Sequence, residues 1–297
     1  MSSKVNLSPS VIASLHSLEL KAKKIVEGFL VGLHKSPWSG ISLEYTGYRP
    51  YYPGDPIKHI DWKVWGRTDR YYIKQFEEET NTCIYILIDL SKSLDYGENS
   101  SNKWNYIQTL SASLAYLSLL IRDAPSIVFL QENETFILPP SAKFGQLKLI
   151  IDKLENASPL EKNPDWEGIL RALRPRLKRR TMLFILSDFM FPVEDFKPAL
   201  SQLRFLKGDL SLWQILHKDE LEFPFDDELR FIDMESEDFI EISSGKWQDS
   251  YIRELKKHQK DLVRLCGEQE GQFKSFRTDN SFLLPLKEFL SQREKFR

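Results

Sequence analysis

Cysteine is scarce in this chain. Two occur in 297 residues, Cys83 and Cys266, with no Cys-x-x-Cys spacing and no histidine cluster beside either. That excludes a disulfide framework or a zinc ribbon, and both thiols are read as core-packing residues of a chain suited to a reducing compartment. Long hydrophobic runs are missing as well. The longest helical apolar stretch, Leu114 to Ile121, is too short to span a bilayer, and the polar N-terminus has no signal-peptide core. The expectation is a soluble, cytoplasmic protein. An excess of one charge is also lacking: 41 Lys and Arg against 43 Asp and Glu give a formal net charge of -2, which supplies no overall drive toward nucleic acid or an anionic membrane. Catalytic patterns are thin. The five histidines show no metalloprotease spacing, and Ser243-Ser244-Gly245-Lys246 lacks the upstream glycine of a phosphate-binding loop, which argues against intrinsic ATPase activity.

What is present is a regular alternation. A chain of this length buries about three-quarters of its unfolded surface, enough for one large domain or two small ones. Ser8-Pro9 opens a helix whose apolar positions Ile12, Leu15, Leu18, Ile25 and Phe29 recur at helical spacing. From His34 to Arg70 the chain turns rich in Gly, Pro, Tyr and Trp, the composition of an irregular or hairpin appendage. Beyond it, apolar strand runs at Thr82 to Asp89, Ser126 to Gln131, Glu134 to Leu138, Met182 to Leu186, Leu210 to Leu216 and Gln272 to Phe276 alternate with helical patterns. Those helices are predicted near Asn102 to Ile121, Gln146 to Glu155, Trp166 to Leu177, Phe196 to Leu206, Trp247 to Cys266 and Phe282 to Arg293. Strand and helix in alternation predict an α/β fold with a mainly parallel sheet covered on both faces. The boundaries read as 1–70 for helix and appendage and 71–297 for the α/β domain, with an acidic hairpin inserted at about 218–243. No internal repeat or low-complexity linker divides it further.

Chemistry concentrates where strands end. Asp89-Leu90-Ser91-Lys92-Ser93 closes the apolar run from Cys83, and Ser187-Asp188-Phe189 closes the run from Met182. In open α/β sheets the carboxyl ends of strands are where ligands sit. Two carboxylates with two hydroxyls form an all-oxygen donor set, the kind a hard ion such as Mg²⁺ prefers, with Mn²⁺ or Ca²⁺ as alternatives. Neutral hydroxyls leave the ion under-neutralised and attractive to an incoming anionic oxygen. The start of the helix near Asn102 would add its positive dipole end.

The sequence also resembles a known group. Gly47-Tyr48-Arg49-Pro50-Tyr51-Tyr52-Pro53-Gly54-Asp55, then His59-Ile60-Asp61-Trp62, then Arg67, then Asp89-Leu90-Ser91-Lys92-Ser93 are similar, in order and spacing, to the signature of the bacterial domain-of-unknown-function 58 family. That family is similar to von Willebrand factor A domains, whose metal-ion-dependent adhesion site combines D-x-S-x-S, a threonine on a second loop and an aspartate on a third. The resemblance implies a von Willebrand factor A-like, Rossmann-like fold, with Asp89, Ser91 and Ser93 on the first loop and Asp188 on the third. The second loop, Asn156 to Asp165, has no threonine and leaves Ser158, Asn163 or Asp165 as substitutes. Ser91 and Ser93 are expected to hold the ion directly and the aspartates directly or through water. The resemblance further implies a MoxR-type AAA+ ATPase as partner.

Two other features have plainer readings. Tyr51, Tyr52, Trp62 and Trp65 interleave with Lys58, Lys63 and Arg67, a mixture that suits nucleic acid, but Asp55, Asp61 and Asp69 offset the charge and packing of the appendage is the better account. Arg171 to Arg180 holds six basic residues and reads as a solvated helix end. The combined expectation is a non-enzymatic adaptor that takes a partner's carboxylate at its metal site. A metal-dependent phosphoester hydrolase and a scaffold with a degenerate site are the alternatives.

Overall fold

The computed structural model describes residues 12, 17–33, 48–50, 66, 71–74, 82–98, 101–130, 135–159, 165–177, 180–206, 209–225, 228–232, 239–243 and 247–295. Most of the aromatic signature between Gly47 and Arg67 lies outside them, as does Asn163. Near the start, β1 (Tyr48–Pro50) pairs antiparallel with β2 (Tyr72–Lys74).

The main sheet has six strands: β3 (Cys83–Asp89), β4 (Ala124–Leu130), β5 (Phe136–Ile137), β6 (Thr181–Ser187), β7 (Leu210–Leu216) and β10 (Gln272–Arg277), in spatial order β5-β4-β3-β6-β7-β10. Every pairing is parallel except β4 with the short edge strand β5. Counted along the chain this is the order 3-2-1-4-5-6 of a doubly wound sheet. Its topological switch point lies between the first and fourth of these strands, here β3 and β6, which run side by side with Ile88 opposite Leu186.

Helices cover both faces: α1 (Leu18–Leu33), α2 (Lys103–Leu120), α3 (Gly145–Asn156), α4 (Trp166–Leu173), α5 (Val193–Ser201), α6 (Lys218–Glu222), α7 (Gln248–Gly267) and α8 (Leu283–Lys295). Strand alternation explains the two layers. Ile84, Ile86 and Ile88 of β3 pack with α1, α2, α3 and α8. Tyr85 and Leu87 point the other way and pack with α4, α5 and α7. Helix α1 contributes Ala22, Ile25, Val26 and Phe29 to the first of these cores, so the helix counted with the appendage is built into the α/β layer.

The acidic insertion begins with a helical turn before its hairpin. α6 is held by a capping box in which the His217 side chain accepts from Asp219 N and Glu220 Oε2 accepts from His217 N at 2.6 Å. Five residues are too few to show an apolar period, so sequence patterning passes over it. The hairpin itself pairs β8 (Glu228–Ile232) with β9 (Phe239–Ser243). Among the described residues no helix is long and apolar enough to cross a membrane.

Candidate functional site

The switch point places the two strand-end signatures together. Asp89 ends β3 and is buried. Its Oδ1 accepts from Ser91 N at 2.9 Å, and its Oδ2 accepts from Ser91 Oγ at 3.1 Å and from Ser187 Oγ, across on β6, at 2.7 Å. Ser91 Oγ in turn lies 3.1 Å from Ser93 Oγ. A 3-10 turn, Lys92–Asp95, follows, with Leu94 buried.

The loop between that turn and α2 is pinned by a cap. Asn102 Oδ1 accepts from Asn105 N at 3.0 Å, while Asn102 Nδ2 donates to Gly97 O at 3.2 Å and Asp95 Oδ1 at 3.3 Å. Gly97 has φ +95°, and a Cβ there would stand 2.9 Å from Ser101 O and 3.0 Å from His217 Cδ2. Only glycine suits that position.

The second arm depends on an unusual backbone. Phe189, fully buried, takes φ +53°, a conformation that is an outlier for a bulky residue. It is held by Ser187 Oγ accepting from Phe189 N at 2.8 Å, by His258 Nε2 against Phe189 O at 2.6 Å, and by ring contacts with Trp166 and Phe196. Asp188, just before Phe189, is near enough for its charge to act on Asp89. Gln214 Nε2 donates to Asp188 O at 2.9 Å, which ties the same loop to β7.

A lysine completes the rim. Lys103, the first residue of α2, is buried and donates from Nζ to Asp188 Oδ2 at 2.8 Å and to Glu220 Oε1 at 2.6 Å. Burial opposes its charge, but the two carboxylates outweigh that and raise its pKa. The electrostatics of Asp89 run the other way: burial first, then the neighbouring charge of Asp188, push its carboxyl up to about 7 against the hydrogen bonds from Ser187 and Ser91. Glu220 is also raised, by burial, with Lys103 working against the rise.

The first-loop donors fit a hard divalent ion. Adjacent ligands of an octahedral ion with Mg–O distances of about 2.1 Å stand about 3.0 Å apart, close to the 3.1 Å that separates Ser91 Oγ from both Asp89 Oδ2 and Ser93 Oγ. The same spacing serves the hydrogen bonds that link these atoms here. Asp188 is less free, because Oδ1 accepts from Met190 N at 3.2 Å and Oδ2 is paired with Lys103. Among the described residues no group of three or more His, Cys, Asp or Glu is arranged to hold a metal, so the hydroxyls are essential to any such site.

Of the expected ligands, Asp89, Ser91, Ser93 and Asp188 therefore meet at one rim. Asp165 is exposed and uses Oδ1 as the cap of α4, accepting from Gly168 N at 2.9 Å; Ser158 is exposed. Arg171, Arg174 and Arg176 of the basic stretch are exposed as read from sequence. Sequence reasoning missed Lys103, Ser187 and Glu220 as site residues. Lys103 had a signal: it is the only charged residue of α2 and stands at the end where the helix dipole disfavours a cation. Such a local conflict signals a partner elsewhere in the fold, here Asp188 and Glu220.

An uncharacterised protein of Mycobacterium tuberculosis is 25% identical over 294 residues, covering 97% of this chain and 91% of its own length. Among solved structures, the conserved hypothetical protein BatB of Bacteroides thetaiotaomicron is similar with a TM-score of 0.44 and 14% identity, over 73% of this chain and 98% of that one. The von Willebrand A domain of SpRpn10 is similar with a TM-score of 0.41 and 9% identity, over 71% of this chain and 95% of that one. The strand order of this chain by itself shows the doubly wound α/β architecture. The family model described as "Protein of unknown function DUF58" matches residues 47–261, most of the chain, and this protein belongs to that family.

Proposed function

We propose that this protein is a non-catalytic, cytoplasmic protein-interaction adaptor that captures a partner's carboxylate at the carboxyl rim of its sheet. The observation that carries the reading is the chain of hard oxygens Asp89 Oδ2, Ser91 Oγ and Ser93 Oγ at the switch point, with Asp188 beside it. Asp89, Ser91 and Ser93 would hold a divalent cation, Mg²⁺ or in its place Mn²⁺ or Ca²⁺, with Asp188 alongside. Bound there, the ion supplies a residual positive charge toward an anionic oxygen. Asp165 already uses one oxygen on its helix and Asn163 lies outside the described residues; with Ser158 they are the second-loop residues that would stand in for the threonine of the resemblance.

The chain's own residues shape that capture. Asp89 orients both Ser91 and Ser187 by accepting their hydroxyl protons, so these hydroxyls face a carboxylate rather than an imidazole base. Met190, next to Asp188, is exposed and offers a flexible apolar contact of the kind enriched at interfaces. The partner we propose, on the family resemblance, is a MoxR-type AAA+ ATPase.

The test is capture of a purified MoxR-type ATPase by wild type and Asp89→Ala, each with Mg²⁺ and with chelator. Binding by wild type in Mg²⁺ alone supports the adaptor. Binding that ignores both chelator and substitution identifies a scaffold with a degenerate site. Phosphoester turnover that vanishes in Asp89→Ala identifies a hydrolase.

A further inference from the structure

Lys103 is the part of the rim that the adaptor reading leaves unused. Its side chain is 1% exposed, at a helix end whose dipole opposes it. Its ammonium bridges Asp188 on the loop after β6 and Glu220 on α6, residues 85 and 117 positions away in the chain. Nζ also stands over the Tyr96 ring, 5.9 Å from its centroid. Glu220 is itself fixed by its second oxygen, which accepts from His217 N at 2.6 Å. The ammonium is thus held in place from three directions.

With Asp89, Asp188 and Glu220 ionised, three negative charges share one resident positive charge. Asp188 is common to two neighbourhoods: it acts on Asp89, and it carries Lys103 on Oδ2. A divalent ion settling on Asp89, Ser91 and Ser93 meets that ammonium as a competitor, both for the field of the carboxylates and for Asp188 itself.

We propose that Lys103 is a built-in cation that sets the affinity of the rim for divalent ions by competing with them for Asp188. This rests on the metal reading above and assigns the control of affinity to a side chain that touches no metal. Removing the ammonium frees Asp188 and strengthens the field at the hydroxyls. Removing Glu220 does the opposite, because it leaves Lys103 to Asp188 alone.

The experiment is Mn²⁺ and Mg²⁺ titration by calorimetry, with Mn²⁺ binding also read by electron paramagnetic resonance. The proteins are wild type, Lys103→Gln, Glu220→Gln and the double variant Lys103→Gln/Glu220→Gln. Lys103→Gln is expected to bind at least tenfold more tightly than wild type, and Glu220→Gln more weakly. The double variant keeps the net charge of wild type and removes the buried ion pair, so it serves if Lys103→Gln fails to fold. Competition for Asp188 predicts that it too binds more tightly than wild type, whereas net charge alone predicts no change.

Wild type that binds while both Lys103 variants bind equally or less tightly overturns the inference and leaves the metal reading standing. Wild type that fails to bind while the Lys103 variants bind supports the inference and removes the metal reading for the natural chain. If none of the four binds either ion, both fall together.

Discussion

Asp89→Asn is the most searching perturbation of the rim, because it removes a charge while keeping the shape of the side chain. In the metal-free protein, burial and Asp188 raise the Asp89 carboxyl to about 7, against an ordinary value of about 3.9 in an unfolded chain. At 1.36 kcal/mol for each tenfold change in proton affinity, that difference amounts to about 4 kcal/mol. The folded state holds the proton more tightly than the unfolded state. Stability therefore falls as pH rises from about 4 to about 7, where the unfolded chain has released its proton and the native one has not, and the full penalty is in place above about 7. Asparagine carries no such penalty, and the hydroxyls of Ser187 and Ser91, which now donate to Asp89, can turn to meet an amide.

Urea unfolding in chelator at pH 5 and pH 8 measures the effect. The expected result is that wild type loses about 2 to 3 kcal/mol relative to Asp89→Asn between these pH values, the rest of the difference having been lost below pH 5. Adding Mg²⁺ at pH 8 should restore wild type and leave Asp89→Asn unmoved, since only the carboxylate gains from a cation. Parallel pH profiles for the two proteins in chelator would refute the electrostatic account of the rim.

Three further outcomes follow from separate parts of the molecule. Gly97→Ala should lower stability by about 2 kcal/mol and weaken any cation response, because the left-handed backbone and the contact with Ser101 O both resist a Cβ; urea midpoints and Mn²⁺ titration check both effects. Arg293→Ala should destabilise by about 3 kcal/mol, since Asp123 is buried and would lose the paired bonds of 2.6 Å and 3.0 Å from that guanidinium, as read by chemical unfolding at neutral pH. Cys266 should resist thiol reagents until the protein unfolds, because burial pushes its thiol up to about 12; labelling with and without denaturant, followed by mass spectrometry of the modified peptide, tests it.

Much of the framework was legible before any coordinates. Seven-residue apolar runs such as Cys83–Asp89 and Thr181–Ser187, separated by helix-length periodic segments, leave little choice but a parallel sheet covered on both faces. The boundary of α2 was legible because Asn102 is a strong capping residue. Less visible was α6, whose five residues are ordered by a histidine cap and a glutamate, a pattern without an apolar stripe. The fixing of Asp188 was also hidden. It rests on Lys103, Met190 N and Gln214, beside a Phe189 backbone at φ +53°, and nothing in the run Ser187-Asp188-Phe189 announces those partners or that conformation.

The sequence by itself determined the alternation of strands and helices, the oxygen-donor residues at two strand ends and the family. These follow from local patterns and from ordered motifs, which can be read without knowing what lies across the fold. Tertiary structure alone decided which polar groups meet: Ser187 with Asp89 over 98 positions, Lys103 with Asp188 over 85, and Lys103 with Glu220 over 117. Coulomb and hydrogen-bond energies depend on distance in space and on exclusion of water. Strand order fixes both, and no local pattern encodes them.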